Sequence, residues 1–353
     1  MNKKIKIFLG AYVNFANAQN INCDNIAKYL DKDKFEVHTM YTTMMPIDKK
    51  KYKEAGIKLH RLWHRRIVWK WSKLWAMRRA KCDIYYLPKI EEMDITFAKK
   101  HKGKGKVFLS SVEGVITETT NNTPALKDYF LNIMDESFAI SNCIAESVKK
   151  FYGEPLPVLP LGVLERGEGK KEGKTKIHKV VWVGNVKENK RPMLLVECAK
   201  RFPQLQFIMI GDGDMQKQVE GAIQEYELTN LILTGRIPNE QVYEHMQTCD
   251  VLLMTSEFEG LPKVIQEAAL NSLPSIYINE NYTVDFIQDG VNGYGVANLQ
   301  EMQDKLQYLL DNPEEYQKMS SNAFNTIQKY RWSVLIKEYE TYFEDCLKKY
   351  GKK

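Results

Sequence analysis

Short apolar runs that end in polar or glycine-containing turns alternate along this chain with stretches of helical apolar spacing. Residues 4–9 read as a first strand, and residues 23–30 follow with Ile26, Ala27 and Leu30 on one helical face. Residues 35–40, 83–87 and 107–110 read as further strands. Residues 138–141 read as another, running into a helix that extends to Tyr152. Strands that alternate with helices predict βαβ units, hence an α/β protein with a parallel sheet covered on both faces. Residues 164–179 are rich in Gly, Lys and Glu and have no apolar period, which makes them a linker. The pattern then resumes at 180–184, 205–211 and 250–256. The predicted organisation is a first domain over 1–165, a second over 166–331, and a final helix over 332–353 with its stripe at Val334, Ile336, Tyr339, Phe343 and Leu347.

Residues 60–81 break the ordinary pattern, with eight Lys or Arg, no acid, and four tryptophans, Trp63, Trp69, Trp71 and Trp75. Val68, Trp71 and Trp75 share one helical stripe, with Arg66, Lys70 and Lys73 off it. Two readings stand. A basic amphipathic helix with boundary tryptophans suits an anionic membrane interface, with Arg65, Arg66, Trp69, Lys70 and Lys73 on the membrane or acceptor side. Alternatively, a helix is needed ahead of the strand at 83–87, and its stripe packs on the sheet. Basic residues interleaved with aromatics also suit single-stranded nucleic acid, but no nucleic-acid module accompanies them, so no nucleic-acid partner is expected.

Composition narrows the class. The 353 residues suffice for two domains with sizeable cores, and 44% hydrophobic content is ordinary for a globular protein. No apolar run reaches the roughly 20 residues that span a bilayer. The start of the chain imitates a signal peptide, but Lys6 interrupts the apolar run and a first strand explains the same residues. Six scattered cysteines without metal spacing fit reduced thiols in the cytoplasm, at the inner face of the membrane if the basic segment docks there. The net charge of +6 is uneven: residues 1–165 hold 28 basic against 18 acidic side chains (+10), and the rest hold 23 against 27 (−4). The first domain is therefore the side that meets an anionic partner.

The richest chemistry lies at 257–267, directly after the strand at 250–256. Pro262 suits a first helical position, and Gly260 lets the backbone approach a ligand. A strand, a glycine turn and a helix N-terminus form an anion cradle. Glu259 and Glu267 flank it, and carboxylates accept hydrogen bonds from sugar hydroxyls. Amides for a diphosphate and acids for hydroxyls together fit a nucleotide sugar.

The run Glu259-Gly-Leu-Pro-Lys-Val-Ile-Gln-Glu267 resembles the E-x7-E signature of the retaining glycosyltransferases of family 4. The resemblance implies the GT-B fold: two facing Rossmann-like domains with parallel sheets and a C-terminal helix that crosses back to the first domain. It implies a donor site at Gly184, Asn185, Lys190, Arg191, Gly211, Arg236, Ile237, Glu259, Gly260, Leu261, Pro262 and Glu267. In that site Lys190 holds the diphosphate, Glu259 with the amides of Gly260 and Leu261 holds the sugar, Glu267 holds the ribose, and the loop at Arg236 and Ile237 passes over the base. The catalytic candidates are Glu259, Lys190 and Glu113. The chain departs from the family pattern in three places: Ala16-Asn17 replaces Gly-Gly, Glu113 replaces a sugar-contacting His, and Asn185 replaces a diphosphate-binding Arg that Arg191 stands near. Asp212-Gly-Asp214 imitates a metal motif but occupies a structural turn of the family, so neither a metal nor a cofactor is expected. The implied activity is hexosyl transfer from a UDP-sugar to a glycan or lipid-linked acceptor in surface polysaccharide or glycolipid synthesis. Nucleotide-sugar epimerisation and non-catalytic nucleotide-sugar binding are the alternatives.

Overall fold

The computed structural model describes residues 3–15, 17–63, 68–164 and 174–351. The chain divides into two compact units, one of residues 1–164 with 330–353 and one of residues 165–329. Arg65 and Arg66 lie outside the described residues.

The first unit holds a six-stranded parallel sheet among its described residues, made of β1 (Ile5–Tyr12), β2 (Phe35–Thr42), β3 (Ile57–Leu62), β4 (Ile84–Tyr86), β5 (Val107–Val112) and β6 (Glu136–Ala139) in the order β3-β2-β1-β4-β5-β6. The central strands β1 and β2 are buried along most of their length, as expected where helices cover both faces. Helix α1 (Ala18–Tyr29) starts at an Asn17 cap whose side chain accepts from the Asn20 amide. β3 was not read from the sequence: His60, Arg61 and Leu62, which open the basic, tryptophan-rich segment, close this strand ahead of the helix that follows. That helix, α2, spans Val68–Ala80, and α3 spans Glu92–His101.

α2 answers one of the two readings of its composition, that of packing on the sheet. Its inward face is Ser72, Lys73, Leu74, Ala76, Met77 and Ala80, whereas Val68, Trp71 and Trp75 are exposed. The aromatic stripe does not pack on the sheet. Lys73, expected on the membrane or acceptor side, is instead fully buried and ion-paired with Asp94 at 2.7 Å and Glu91 at 2.9 Å, which neutralise its charge inside the unit.

The second unit repeats the topology with β7 (Lys179–Val183), β8 (Gln206–Ile210), β9 (Leu231–Gly235), β10 (Val251–Met254), β11 (Ser275–Ile278) and β12 (Gly293–Val296) in the order β12-β11-β10-β7-β8-β9, again parallel throughout. Both orders are the doubly wound arrangement in which the first strand of each half lies centrally. Val180, Trp182, Phe207, Met209, Val251, Leu253 and Ile276 form the core of this unit. Helix α4 (Lys263–Leu270) follows β10.

The last helix, α5 (Trp332–Tyr350), belongs to the first unit. Tyr339 donates to the Pro160 carbonyl at 3.0 Å, Glu340 accepts from the Asp31 amide at 2.8 Å, and Phe343 packs near Tyr86. Gly162 is required here, since a Cβ would sit 2.4 Å from the Trp332 ring. The buried stripe runs through Trp332, Leu335, Ile336, Tyr339 and Phe343, and Val334 is 52% exposed, so the predicted stripe is off at its first residue. All six cysteines are unbridged, and Cys143 alone among them is not buried. No helix of the described residues is long and apolar enough to cross a membrane.

Candidate functional site

In the second unit the chain runs from β7 through β8 to β9 at one edge, then returns to place β10 on the other side of β7. The loops that leave the carboxyl ends of β7 and β10 therefore diverge. That switch point is where open parallel sheets bind ligands. Lys190, Arg191, Glu259 and Gly260 all lie on these two loops.

The loops are sewn together. The Glu257 amide donates to the Asn189 carbonyl at 2.9 Å, and Thr255 Oγ1 donates to the Lys190 carbonyl at 2.6 Å while accepting from Trp182 Nε1 at 2.9 Å. Arg191 holds a left-handed backbone (φ 48°) and aims its guanidinium at the Thr255 carbonyl (2.7 Å), the Ser256 carbonyl (3.0 Å) and Glu280 (3.0 Å). Three of its donors thus brace the mouth of the sheet. Lys190 Nζ forms an ion pair with Glu259 Oε1, with both side chains about one-fifth exposed. A cation expected to hold phosphate and a carboxylate expected to hold hydroxyls thus meet across the crevice.

α4 begins one residue later than the sequence indicates. Pro262, expected at the first helical position, is the N-cap with ψ 90°, and its carbonyl accepts from the Ile265 amide at 3.0 Å. Its extended ψ excludes it from the helix, while its missing N–H still costs the helix nothing. Leu261 and Glu267 are half-buried, Glu267 in the second turn of α4. Gly184 and Gly211 pack against each other: Gly211 has φ +136°, and a Cβ on it would lie 1.9 Å from the Gly184 carbonyl oxygen. The loops after β7 and β8 close on one another, so Gly211 serves the backbone. Asn185 is exposed on the first of these loops, and Arg236 and Ile237 follow β9 at the same edge of the sheet. Among the described residues no group of three or more His, Cys, Asp or Glu is placed to hold a metal ion.

The first unit has its own switch point, between β1 and β4. A cavity of about 660 Å³ opens there, lined by Tyr12, Phe15, Asn17, Thr42, Met44, Trp69, Lys70 and Lys89. Trp69 meets Tyr12 edge-on at 5.1 Å between ring centres. Tyr12 donates to Glu91, which also pairs with Lys73. Burial opposes the charge on Lys73, yet the charges of Asp94 and Glu91 outweigh it and raise its pKa, so it stays an ammonium ion. Burial, then the Glu91 charge, pushes the Tyr12 phenol well above its ordinary range. Glu113 lies elsewhere, on a separate cavity of about 320 Å³, where it accepts from Ser111 Oγ at 3.0 Å and Asn22 Nδ2 at 3.4 Å. Sequence reasoning missed Thr255, Glu280, Tyr12 and Lys89. None of them sits in a motif, and only the strand order brings them to the two mouths.

Residues 166–326 match the family model of glycosyl transferases group 1. The matched span contains every donor-site candidate named above. Among curated relatives, the alpha-monoglucosyldiacylglycerol synthase of Acholeplasma laidlawii is 33% identical over 161 residues, 45% of this chain and 40% of that protein. The alpha-D-kanosaminyltransferase of Streptomyces kanamyceticus is 28% identical over 151 residues, 41% of this chain and 39% of that protein. The chain thus spans about two-fifths of the length of these relatives. Over nearly its full length it resembles the solved structure of Anabaena HepE in complex with UDP-glucose, with a TM-score of 0.75 at 15% identity, covering 97% of this chain and 100% of that one. A glycosyltransferase from Rickettsia africae gives 0.76 at 15% identity, covering 98% and 99%. The fold is that of the GT-B glycosyltransferases.

Proposed function

We propose that this chain is a retaining glycosyltransferase of family 4. It moves a hexose-type sugar from a nucleotide diphosphate donor, a UDP-sugar, to a glycan or lipid-linked acceptor in surface polysaccharide or glycolipid synthesis. The observation that carries the reading is the convergence of Lys190 and Glu259 at the β7/β10 switch point, beside the N-terminus of α4.

Breaking the bond between the sugar and the diphosphate leaves negative charge on the departing phosphate and positive charge on the sugar ring. Lys190 and the positive end of α4 stabilise the first. Glu259 holds the sugar hydroxyls with the amides of Gly260 and Leu261, and Glu267 holds the ribose. The leaving phosphate takes the proton of the attacking acceptor hydroxyl on the same face, which gives retention without a protein nucleophile or a metal ion. Arg191 acts from behind, since its guanidinium fixes the carbonyls that shape the crevice. Two of the proteins compared above, the alpha-D-kanosaminyltransferase and the Rickettsia africae glycosyltransferase, are transferases by name, and none of the four is named an epimerase.

The test is a panel of radiolabelled nucleotide sugars incubated with the protein and lipid or glycan acceptors, with the product anomer read by NMR. Transfer with retained configuration, abolished by Glu259→Ala in a protein of unchanged circular dichroism, supports the proposal. Binding without turnover, inversion, or full activity in Glu259→Ala overturns it.

A further inference from the structure

We infer that the outer face of α2, with the end of β3 beside it, is a docking surface for an anionic lipid bilayer. The core contribution of α2 is complete without Trp71 and Trp75, because Leu74, Ala76, Met77 and Ala80 fill the inward face and Lys73 is neutralised there. A second apolar face nevertheless stands in solvent: Val68 is 41% exposed, Trp71 64% and Trp75 54%, with Trp63 at 50% just past β3. The Trp63 amide donates to Ser72 Oγ at 3.3 Å, which ties that tryptophan to the helix. A helix whose packing is already satisfied has no internal use for such a face.

Charge selects the occupant. Arg61, Arg78 and Arg79 are exposed around the tryptophans, and α2 itself contributes no carboxylate. Lys70 pairs with Glu92 of α3. Two arginines lie over tryptophan rings, Arg61 over Trp63 at 4.0 Å and Arg79 over Trp75 at 4.9 Å. An indole seats its apolar body at the boundary of the acyl chains, and a guanidinium stacked on it reaches the phosphate of an anionic headgroup. Continuity with the cavity of the first unit adds a direction. Trp69 and Lys70 lie on the same helix and line that cavity together with Phe15, Met44 and Lys89, so its walls combine large apolar side chains with two lysines. If the transferase proposal holds, the acceptor is an amphiphile with an anionic headgroup, drawn sideways from the docked bilayer.

The experiment is co-sedimentation of the full chain with phosphatidylcholine vesicles, with and without phosphatidylglycerol, read together with tryptophan emission. The expected result is pelleting and a blue shift with phosphatidylglycerol, both reversed by salt. Arg78→Ala with Arg79→Ala should weaken that binding about tenfold or more, and Trp71→Ser with Trp75→Ser should remove the blue shift. All four side chains are exposed, so unchanged circular dichroism and thermal unfolding are expected in both variants. No binding to anionic vesicles at low salt, or equal binding by the wild type and both variants, overturns the proposal. So does a dimer that Trp71→Ser with Trp75→Ser dissociates in a protein that ignores vesicles. This readout needs no activity, so its failure is separate from failure of the transferase proposal. If transfer is observed, the docking variants should slow it on vesicle-borne acceptor and leave it unchanged on a short-chain soluble one.

Discussion

The Lys190–Glu259 ion pair makes opposite predictions for two substitutions that both break it. Each group neutralises the other in the structure, with about one-fifth of each side chain exposed. On the proposed function a nucleotide sugar separates them, drawing the ammonium to the diphosphate and the carboxylate to the sugar. Lys190→Ala deletes a charge-assisted phosphate contact of about 1.5–3 kcal/mol and strands Glu259 beside the diphosphate, so UDP affinity should fall roughly 10- to 150-fold. Glu259→Gln releases Lys190 and removes a nearby negative charge, with no sugar contact to lose when the ligand is UDP. A partly exposed pair is worth about 1 kcal/mol, so UDP should bind about fivefold more tightly to Glu259→Gln than to the wild type. The same variant should lose about tenfold or more in kcat/KM with the intact donor, where the carboxylate–hydroxyl bond is missing. Calorimetric titration with UDP and steady-state transfer measure the two halves. Weaker UDP binding by Glu259→Gln, comparable to that of Lys190→Ala, would refute the reasoning and make the pair a permanent strut between the loops.

Two further outcomes follow from the first unit. Lys73→Met should destabilise the protein by about 3–5 kcal/mol, because Asp94 is wholly buried and loses its counter-ion; chemical denaturation measures it, and a loss under about 1 kcal/mol would contradict the burial reading. Burial, and then the neighbouring His38, pushes His60 down to about 4, with the two rings stacked and His38 Nδ1 2.9 Å from His60 Nε2. A folded-state pKa below the unfolded one means stability present above about pH 6.5 and lost as pH falls toward about 4. His60→Gln should remove up to about 2 kcal/mol of the wild type's acid sensitivity in that window, read from thermal unfolding at several pH values; an unchanged acid profile would contradict it.

Most of the fold was legible because the strands of its doubly wound sheets are richer in apolar residues than the turns that bound them. The runs at 35–40, 107–110, 180–183 and 205–210 fall on β2, β5, β7 and β8. β3 escaped because its burial is uneven: Lys58 and Arg61 are exposed along an edge strand, and its last residues merge with the basic, tryptophan-rich segment. α2 was legible as a helix and not as an orientation. The spacing of Val68, Trp71 and Trp75 marked one stripe, and nothing in the spacing decided between the sheet and the surface for it. The inward turn of Lys73 was not legible either, since it finds both carboxylates only after α3 is packed beside α2.

The candidate site divides along the same line. Glu259, Gly260 and Glu267 lie within one loop and helix, so their spacing carried the information. The partner of Glu259 lies 69 residues away, on a loop whose nearness depends on β10 returning to the far side of β7. No periodicity encodes that return. It follows from the handedness of parallel crossovers and the order of strands, which fix where the chain reverses. The bracing contacts of Thr255, Arg191 and Glu280 are legible only through that order, because each uses a polar group to hold one loop of the crevice against another. The motif therefore marks which chemistry is present, and the strand order determines which cation meets it. The UDP titrations test that second, topological step, because Lys190 and Glu259 can exchange partners only if β7 and β10 are neighbours.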